Sequence, residues 1–287
     1  MVEIIVAPNA GFCFGVKRAV KMAEESVSLS PRVYTLGPII HNPQEVSRLK
    51  MMGVMPLNGD ELKEGDVVII RSHGVPPEKE RELKSKGLRV IDATCPYVKA
   101  VHEAVCKLAR EGYFIVLVGE KNHPEVVGTL GYLRECKGRG IVVEDIEDLS
   151  PALRHDKVGV VSQTTQNEEF FKKVVGEIAL WVKELKVINT ICNATSVRQE
   201  DVHRIAPEVD VMVIIGGKNS GNTRRLHSIA KGINPRSYHV ETAEELVPEW
   251  FIGARKVGIT AGASTPDWII EEVKVKIEKI CAELSSC

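Results

Sequence analysis

The chain has 287 residues, a formal net charge of −1, 44% hydrophobic residues and 27% charged ones. That length can bury the cores of two or three domains, and the near-neutral charge argues against a general nucleic-acid or membrane-surface binder. No apolar run reaches a membrane span, and the first residues lack the basic start and long apolar region of a signal peptide; the seven cysteines, odd in number and widely spaced, point to a reducing, cytoplasmic setting and not to a disulfide framework.

The first strand, Ile4-Ile5-Val6, leads through Pro8, Asn9 and Gly11 to Cys13-Phe14-Gly15-Val16-Lys17-Arg18. A helix follows, then an apolar strand ending at Gly37 and the loop Pro38-Ile39-Ile40-His41-Asn42-Pro43. The pattern predicts a helix over 43–52, a strand over 67–70 running into Arg71-Ser72-His73-Gly74, and a helix over 76–86. Val90 and Ile91 then lead through Asp92-Ala93-Thr94 to Cys95-Pro96. Pro96 suits a first helical position, and Val98, Val101 and Val105 recur at helical spacing. The strand 115–118 ends at Gly119, before Glu120-Lys121-Asn122-His123-Pro124-Glu125. Strands over 141–143 and 158–162 come next, the second running into Gln163-Thr164-Thr165, and then a helix over 168–185. Ile188-Asn189-Thr190-Ile191 leads to Cys192-Asn193-Ala194-Thr195. The strand 211–215 ends at Gly216, before Gly217-Lys218-Asn219-Ser220-Gly221-Asn222, and a helix is predicted over 223–231. Strands over 238–240 and 257–261, the latter running into Gly262-Ala263-Ser264, and a helix over 266–284 complete the chain.

The order repeats. Cys13, Cys95 and Cys192 each stand where an extended run meets a helix, and each is followed by a base within six residues. Four residues beyond Gly37, Gly119 and Gly216 stand His41, His123 and Ser220. The chain therefore reads as three α/β units, 14–94, 95–191 and 192–287, with the N-terminal segment 1–13 completing the third. Short apolar strands alternating with helices predict mainly parallel sheets covered on both faces, and three equivalent units predict a ring with pseudo-three-fold symmetry. The three cysteines would meet at its centre.

A thiolate at a helix start faces unpaired N–H groups and the positive end of the helix dipole. Three such thiolates make a soft-metal site. Zinc stays open, although the short Cys-x-x-Cys pair usual in zinc sites is missing. An iron–sulfur cluster accepts wide spacings, and with three cysteines one iron of a cubane lacks a protein ligand and is open to substrate. Cys106 lies about 16 Å along the helix from Cys95 and reads as a buried small hydrophobe. Cys136, Cys281 and Cys287 carry no assigned role.

His41, His73, His123, Ser220, Asn222 and Ser264 all fall on loops that follow strands. Such side chains, with helix N-termini, suit a phosphate or diphosphate. Neither a Walker motif nor a Gly-x-Gly-x-x-Gly fingerprint is present. Glu125 reads either as a helix-start carboxylate favoured by the dipole or as a proton donor. Three classes remain at this point: an iron–sulfur enzyme, a non-catalytic iron–sulfur redox sensor, and a zinc-stabilised phosphate-ester-binding protein.

Over essentially its whole length the chain resembles the 4-hydroxy-3-methylbut-2-enyl diphosphate reductases of the methylerythritol phosphate route to isoprenoids. The resemblance rests on Gly11-Phe12-Cys13-Phe14-Gly15-Val16, His41-Asn42-Pro43, Arg71-Ser72-His73-Gly74, Asp92-Ala93-Thr94-Cys95-Pro96, Asn122-His123-Pro124-Glu125, Ser162-Gln163-Thr164-Thr165, Ile191-Cys192-Asn193-Ala194-Thr195, Lys218-Asn219-Ser220 and Gly262-Ala263-Ser264. It implies three α/β units around a [4Fe–4S] cluster held by Cys13, Cys95 and Cys192. It also implies a diphosphate pocket of His41, His73, His123, Ser220, Asn222 and Ser264; Gly221 stands where many relatives carry a serine. Glu125 would deliver a proton, with His123 nearby and Thr164 close to the substrate hydroxyl. The implied reaction is a two-electron reductive dehydroxylation of the allylic diphosphate to isopentenyl and dimethylallyl diphosphates, with the substrate oxygen on the open iron. With no second cluster motif and no flavin or nicotinamide fingerprint, a separate ferredoxin or flavodoxin would supply the electrons.

Overall fold

The computed structural model describes residues 2–59, 61–149 and 155–285. Its strands form three four-stranded sheets in which every hydrogen-bonded pair is parallel. One sheet has the order β3(Val54–Pro56), β2(Val33–Thr35), β4(Val67–Ile70), β5(Arg89–Asp92). The next has β7(Gly140–Val143), β6(Phe114–Val118), β8(Lys157–Ser162), β9(Glu184–Val187). The third has β11(Ser237–Val240), β10(Val211–Ile215), β12(Lys256–Ala261), β1(Glu3–Val6). β1 joins the last-formed strand of the chain, with Glu3 opposite Lys256 and Val6 opposite Ile259. The central strands are near-continuous runs of Val and Ile, buried on both faces, as parallel sheets under helices require.

The helices are α1(Phe14–Ser26), α2(Pro43–Met51), α3(Pro77–Ser85), α4(Pro96–Arg110), α5(Pro124–Glu135), α6(Glu168–Ala179), α7(Asn193–Ile205), α8(Gly221–Ile233) and α9(Asp267–Ser285). Among the described residues none is long and apolar enough to cross a membrane.

The chain forms two compact units. One comprises Met1–Val16, His41–Ser47 and Asn193–Cys287 and contains the β1–β12–β10–β11 sheet. α9 packs on one face of that sheet through Ile269, Val273 and Ile277, and α7 and α8 pack on the other through Val202, Ile205 and Leu226. The other unit comprises Lys17–Ile40 and Arg48–Cys192 and contains the remaining two sheets. There Val101, Val105, Leu108, Val126 and Leu133 of α4 and α5 cover one face of β6 and β8, while Phe171, Val174 and Ile178 of α6 cover the opposite face.

Three features depart from the sequence reading. The helix over 168–185 stops at Ala179, and Glu184–Val187 is the strand β9. No Gly or Pro marks that stop; pairing with β8, Lys157 opposite Glu184, overrides the local helical periodicity. The three-residue strand β3 is too short to leave a pattern. Cys106 is buried, but it is bonded to Cys136 in a disulfide with Cα atoms 5.4 Å apart. The contact between α4 and α5 brings together two cysteines that are 30 residues apart in sequence.

Candidate functional site

Each sheet has one strand order. Numbered by chain order within a unit, with β1 taken last, the strands run second, first, third, fourth. The order therefore reverses between the first and third strands, and loops leaving their carboxyl ends splay apart to leave a ligand crevice. The loops at those three switch points hold His41 and His73, His123 and Thr164, and Ser220 and Ser264.

The three cysteines are placed by one recurring backbone device. The Cys13 N–H donates to the Ala263 carbonyl at 3.1 Å, Cys95 N–H to Ser72 at 2.9 Å, and Cys192 N–H to Thr164 at 3.0 Å. Each acceptor lies two residues beyond the third strand of its sheet, that is, β12, β4 or β8. Each of the three is half-buried and outside any described disulfide, and each directly precedes a helix: α1, α4 or α7. Gly11 takes a φ of +98°, and a Cβ there would lie 2.8 Å from Asp267, so only glycine lets the chain turn into Cys13 in this way. None of α1, α4 and α7 has an acidic residue in its first turn, and neither has α8, whereas α2, α3, α5, α6 and α9 do. Carboxylates are favoured at helix starts. These four helices lack that carboxylate in the first turn.

In the first compact unit, Ser220 caps α8, its Oγ accepting from the Thr223 N–H at 3.3 Å. Asn222, in the first turn of α8, is 3% exposed, and neither its Nδ2 nor its Oδ1 has a hydrogen-bond partner among the described residues. Buried amides are normally satisfied, so these two atoms are available to a ligand or a water. Ser264 Oγ donates to the His41 carbonyl at 3.2 Å. A Cβ on Gly217 would lie 2.3 Å from that same carbonyl oxygen, which explains the glycine at this close approach of two loops.

In the second unit, Glu125 sits in the first turn of α5 and is 2% exposed. Thr164 donates to it twice, from its N–H at 2.6 Å and its Oγ1 at 2.7 Å. Burial raises the Glu125 pKa to about 7 against the opposing pull of the two Thr164 bonds. The group therefore carries a transferable proton at neutral pH. His123 caps α5, its Nδ1 accepting from the Glu125 N–H at 3.2 Å, which fixes the neutral tautomer with its proton on Nε2. His73 packs edge-on against His123, with ring centroids 5.4 Å apart. Thr164 thus binds the acid through its N–H and hydroxyl and accepts from Cys192 through its carbonyl.

Sequence reasoning saw the bases that follow the cysteines only as marks of the repeat. Arg18 Nη1 donates to the Thr94 carbonyl at 3.2 Å, just before Cys95, and Arg198 Nη2 donates to the Gly11 carbonyl at 2.6 Å, just before Cys13. Two of the helices that follow a cysteine, α1 and α7, thus steady the loop that carries another. Gln163, 2% exposed, was also overlooked; its side chain bridges the Glu120 N–H and the Thr165 hydroxyl, holding the first-strand and third-strand loops together. Its only sequence signal was its place in Ser162-Gln163-Thr164-Thr165.

Parallel sheets with paired switch-point loops, three helix-start thiols and a buried protonatable carboxyl define a parallel α/β protein with a polar site at its strand ends. The chain belongs to the LytB protein family, which matches residues 4–278. It is 75% identical over 282 residues to the 4-hydroxy-3-methylbut-2-enyl diphosphate reductase of Aquifex aeolicus (strain VF5), covering 98% of each chain. Its identity to the reductase of the same name from Citrifermentans bemidjiense is 49% over 279 residues, covering 97% of this chain and 98% of that one. Among solved structures, that of the E-1-hydroxy-2-methyl-but-2-enyl-4-diphosphate reductase from Plasmodium falciparum matches with a TM-score of 0.87 at 28% identity, covering 97% of this chain and 87% of that one. A structure of (E)-4-hydroxy-3-methyl-but-2-enyl diphosphate reductase, the terminal enzyme of the non-mevalonate pathway, matches with a TM-score of 0.74 at 75% identity, covering 97% and 100%.

Proposed function

We propose that this chain reduces 4-hydroxy-3-methylbut-2-enyl diphosphate to isopentenyl and dimethylallyl diphosphates, consuming two electrons and two protons and releasing water. Relatives up to 75% identical across nearly the full length carry that activity in their names. The observation that carries the reading is Thr164, which joins a buried carboxyl with a pKa near 7 to the backbone of a helix-start cysteine. A sensor needs no such acid, and a zinc-stabilised binder needs no electron donor.

Half-buried cysteines directly before helices without first-turn acids fit a [4Fe–4S] cluster, so Cys13 from the segment 1–13, Cys95 from 95–191 and Cys192 from 192–287 would hold it. That group would supply electrons and, at an iron without a protein ligand, Lewis acidity toward a poor leaving group. Asn222, Ser220, Ser264 and the histidines His41, His73 and His123 bind the diphosphate, with the α8 N-terminus contributing its dipole. Glu125 gives the proton with which the hydroxyl leaves as water. Thr164 orients that carboxyl, and His123 keeps the α5 start in place. Electrons come one at a time from a ferredoxin or flavodoxin, and the enzyme works in the cytoplasm.

The test is anaerobic. Purified holoprotein is mixed with the hydroxylated diphosphate and reduced methyl viologen, the products are analysed, and iron and sulfide are measured on the same sample. Formation of both C5 diphosphates with near-stoichiometric cluster supports the proposal; zinc-loaded, colourless protein without turnover overturns it.

A further inference from the structure

Arg18, Arg32, Arg48, Arg198 and Arg236, none of them exposed, each donate to a carboxylate or a backbone carbonyl. Arg71 is half-buried and has no such partner. Its Nε is buried without a hydrogen bond, and the guanidinium makes no ion pair among the described residues. Burial pulls its pKa below the usual arginine value, and no carboxylate opposes that pull. An arginine stays charged all the same, so a cation with five N–H donors stands partly desolvated and unmatched. Arg71 directly follows β4, and the Gly74 N–H donates to its carbonyl at 3.0 Å, closing the turn that carries Ser72 and His73. The guanidinium reaches across to the loop after β2. Gly37 there takes a φ of +73°, and a Cβ on it would lie 3.2 Å from Arg71 Nη1. β2 and β4 are the first and third strands of their sheet, so Arg71 lies in the switch-point crevice, where open α/β sheets bind ligands.

From this we infer that Arg71 is an anion-binding residue whose guanidinium takes oxygens of a phosphoryl group, and that this group is the diphosphate of the substrate. The identity of the ligand rests on the reaction proposed above, which assigns His73, on the same turn, to that diphosphate. A guanidinium presents its donors in a planar fork that matches two oxygens of a phosphoryl group at once, which a histidine or a hydroxyl cannot do. A charge left without a partner in the folded protein is costly, and an arriving oxyanion removes that cost while it gains a charge-assisted hydrogen bond. Arg71 would therefore contribute affinity for the phosphate end and take no part in moving the proton.

The test uses anaerobic holoprotein and two ligands, inorganic pyrophosphate and the hydroxylated C5 diphosphate. The Kd for pyrophosphate is titrated for the parent protein, Arg71→Met, Arg71→Lys and Arg89→Met, the last removing an exposed arginine from β5. Arg71→Met should weaken binding by at least about tenfold, and Arg71→Lys should regain part of that affinity through its charge, while Arg89→Met stays within about twofold. With the hydroxylated diphosphate and reduced methyl viologen, Arg71→Met should raise KM by a similar factor. The Tm of ligand-free Arg71→Met should hold or rise, because an uncompensated charge is removed; a merely structural arginine would lower it and leave the Kd alone. An unchanged pyrophosphate Kd in Arg71→Met, or an equal loss in Arg89→Met, overturns the inference. If Arg71→Met does not fold, a parent-like Kd in Arg71→Lys overturns it. A parent protein that binds pyrophosphate but does not turn over the hydroxylated diphosphate overturns the proposed reaction instead, and the pyrophosphate Kd still decides the role of Arg71.

Discussion

Helix α4 has a cysteine near each end, and the two have opposite chemistry. Cys95 caps the start, is half-buried and outside any described disulfide, stands at the positive end of the helix, and has its N–H held by the Ser72 carbonyl. Cys106, three turns on, is 7% exposed and cross-linked to Cys136 at the end of α5. The residue type is the same; its place in the helix field and its neighbours decide what it does. Cys95 has counterparts in Cys13 and Cys192, whereas Glu24 and His203 stand at the positions equivalent to Cys106. Cys106 closes its bond within the protein, whereas Asn222 of the candidate site is buried with neither amide atom hydrogen-bonded among the described residues.

The largest effect expected of any substitution follows directly. Cys95→Ser, Cys13→Ser and Cys192→Ser should each lose most iron and essentially all turnover, and Cys106→Ala should keep both. Iron and sulfide analysis of anaerobic preparations reads the difference. Full cluster content in Cys95→Ser would erase the contrast between the two ends of α4.

Glu125→Gln comes next, with the cluster retained and turnover slowed by about a hundredfold or more, within the range of a positioned general acid. The pKa near 7 adds two signatures. In the parent protein kcat/KM should fall as pH rises through 7, because the acid ionises; the variant should lack that limb. Stability changes with the same sign. The folded-state pKa lies above the unfolded value of 4.5, so the native state holds the extra proton between the two. Its contribution is whole below pH 4.5 and lost as pH rises through 7. Unfolding curves should therefore show Glu125→Gln gaining on the parent between pH 5 and pH 8, by up to about 3 kcal/mol.

The alternation of apolar strands and helices, and so the parallel α/β class, was legible because central strands such as Val67–Ile70 and Val211–Ile215 are unbroken β-branched runs. β3 and β9 were not: one is three residues long, and the other continues a helical period without a stop signal. The cysteine starts could be read because they recur. The Cys106–Cys136 bond could not, since it depends on how α4 and α5 pack and not on any spacing in the chain. For the same reason the sequence displayed Arg18 and Arg198 as bases but hid the carbonyls they hold, 76 and 187 residues away.

Cys136→Ser tests the structural end of the comparison. Opening a 30-residue loop should cost about 3 kcal/mol of stability, seen as a lower Tm, with iron content and turnover unchanged. Treating the parent protein with a reductant should reproduce the shift, and treating Cys136→Ser should add nothing to it. A variant as stable as the parent would remove the disulfide from the structural account.

The smallest effects separate two neighbours within the candidate site. Asn222 is buried with both amide atoms unpartnered among the described residues, whereas Ser264 has its hydroxyl on the His41 carbonyl. Both should contribute roughly 1–3 kcal/mol to diphosphate affinity, the range for a charge-assisted hydrogen bond or a buried polar partner lost. Their effects on folding should diverge. Asn222→Ala removes two unsatisfied polar atoms from the interior, so the Tm without ligand should hold or rise while affinity falls. Ser264→Ala removes a bond that the folded protein already makes, so Tm and affinity should fall together. Titration with a diphosphate analogue of the product, beside thermal unfolding of the ligand-free protein, distinguishes them. If Asn222→Ala lowers the Tm and leaves affinity alone, Asn222 belongs with Cys106 among the side chains that build the fold, and the anion site at α8 loses its most direct support.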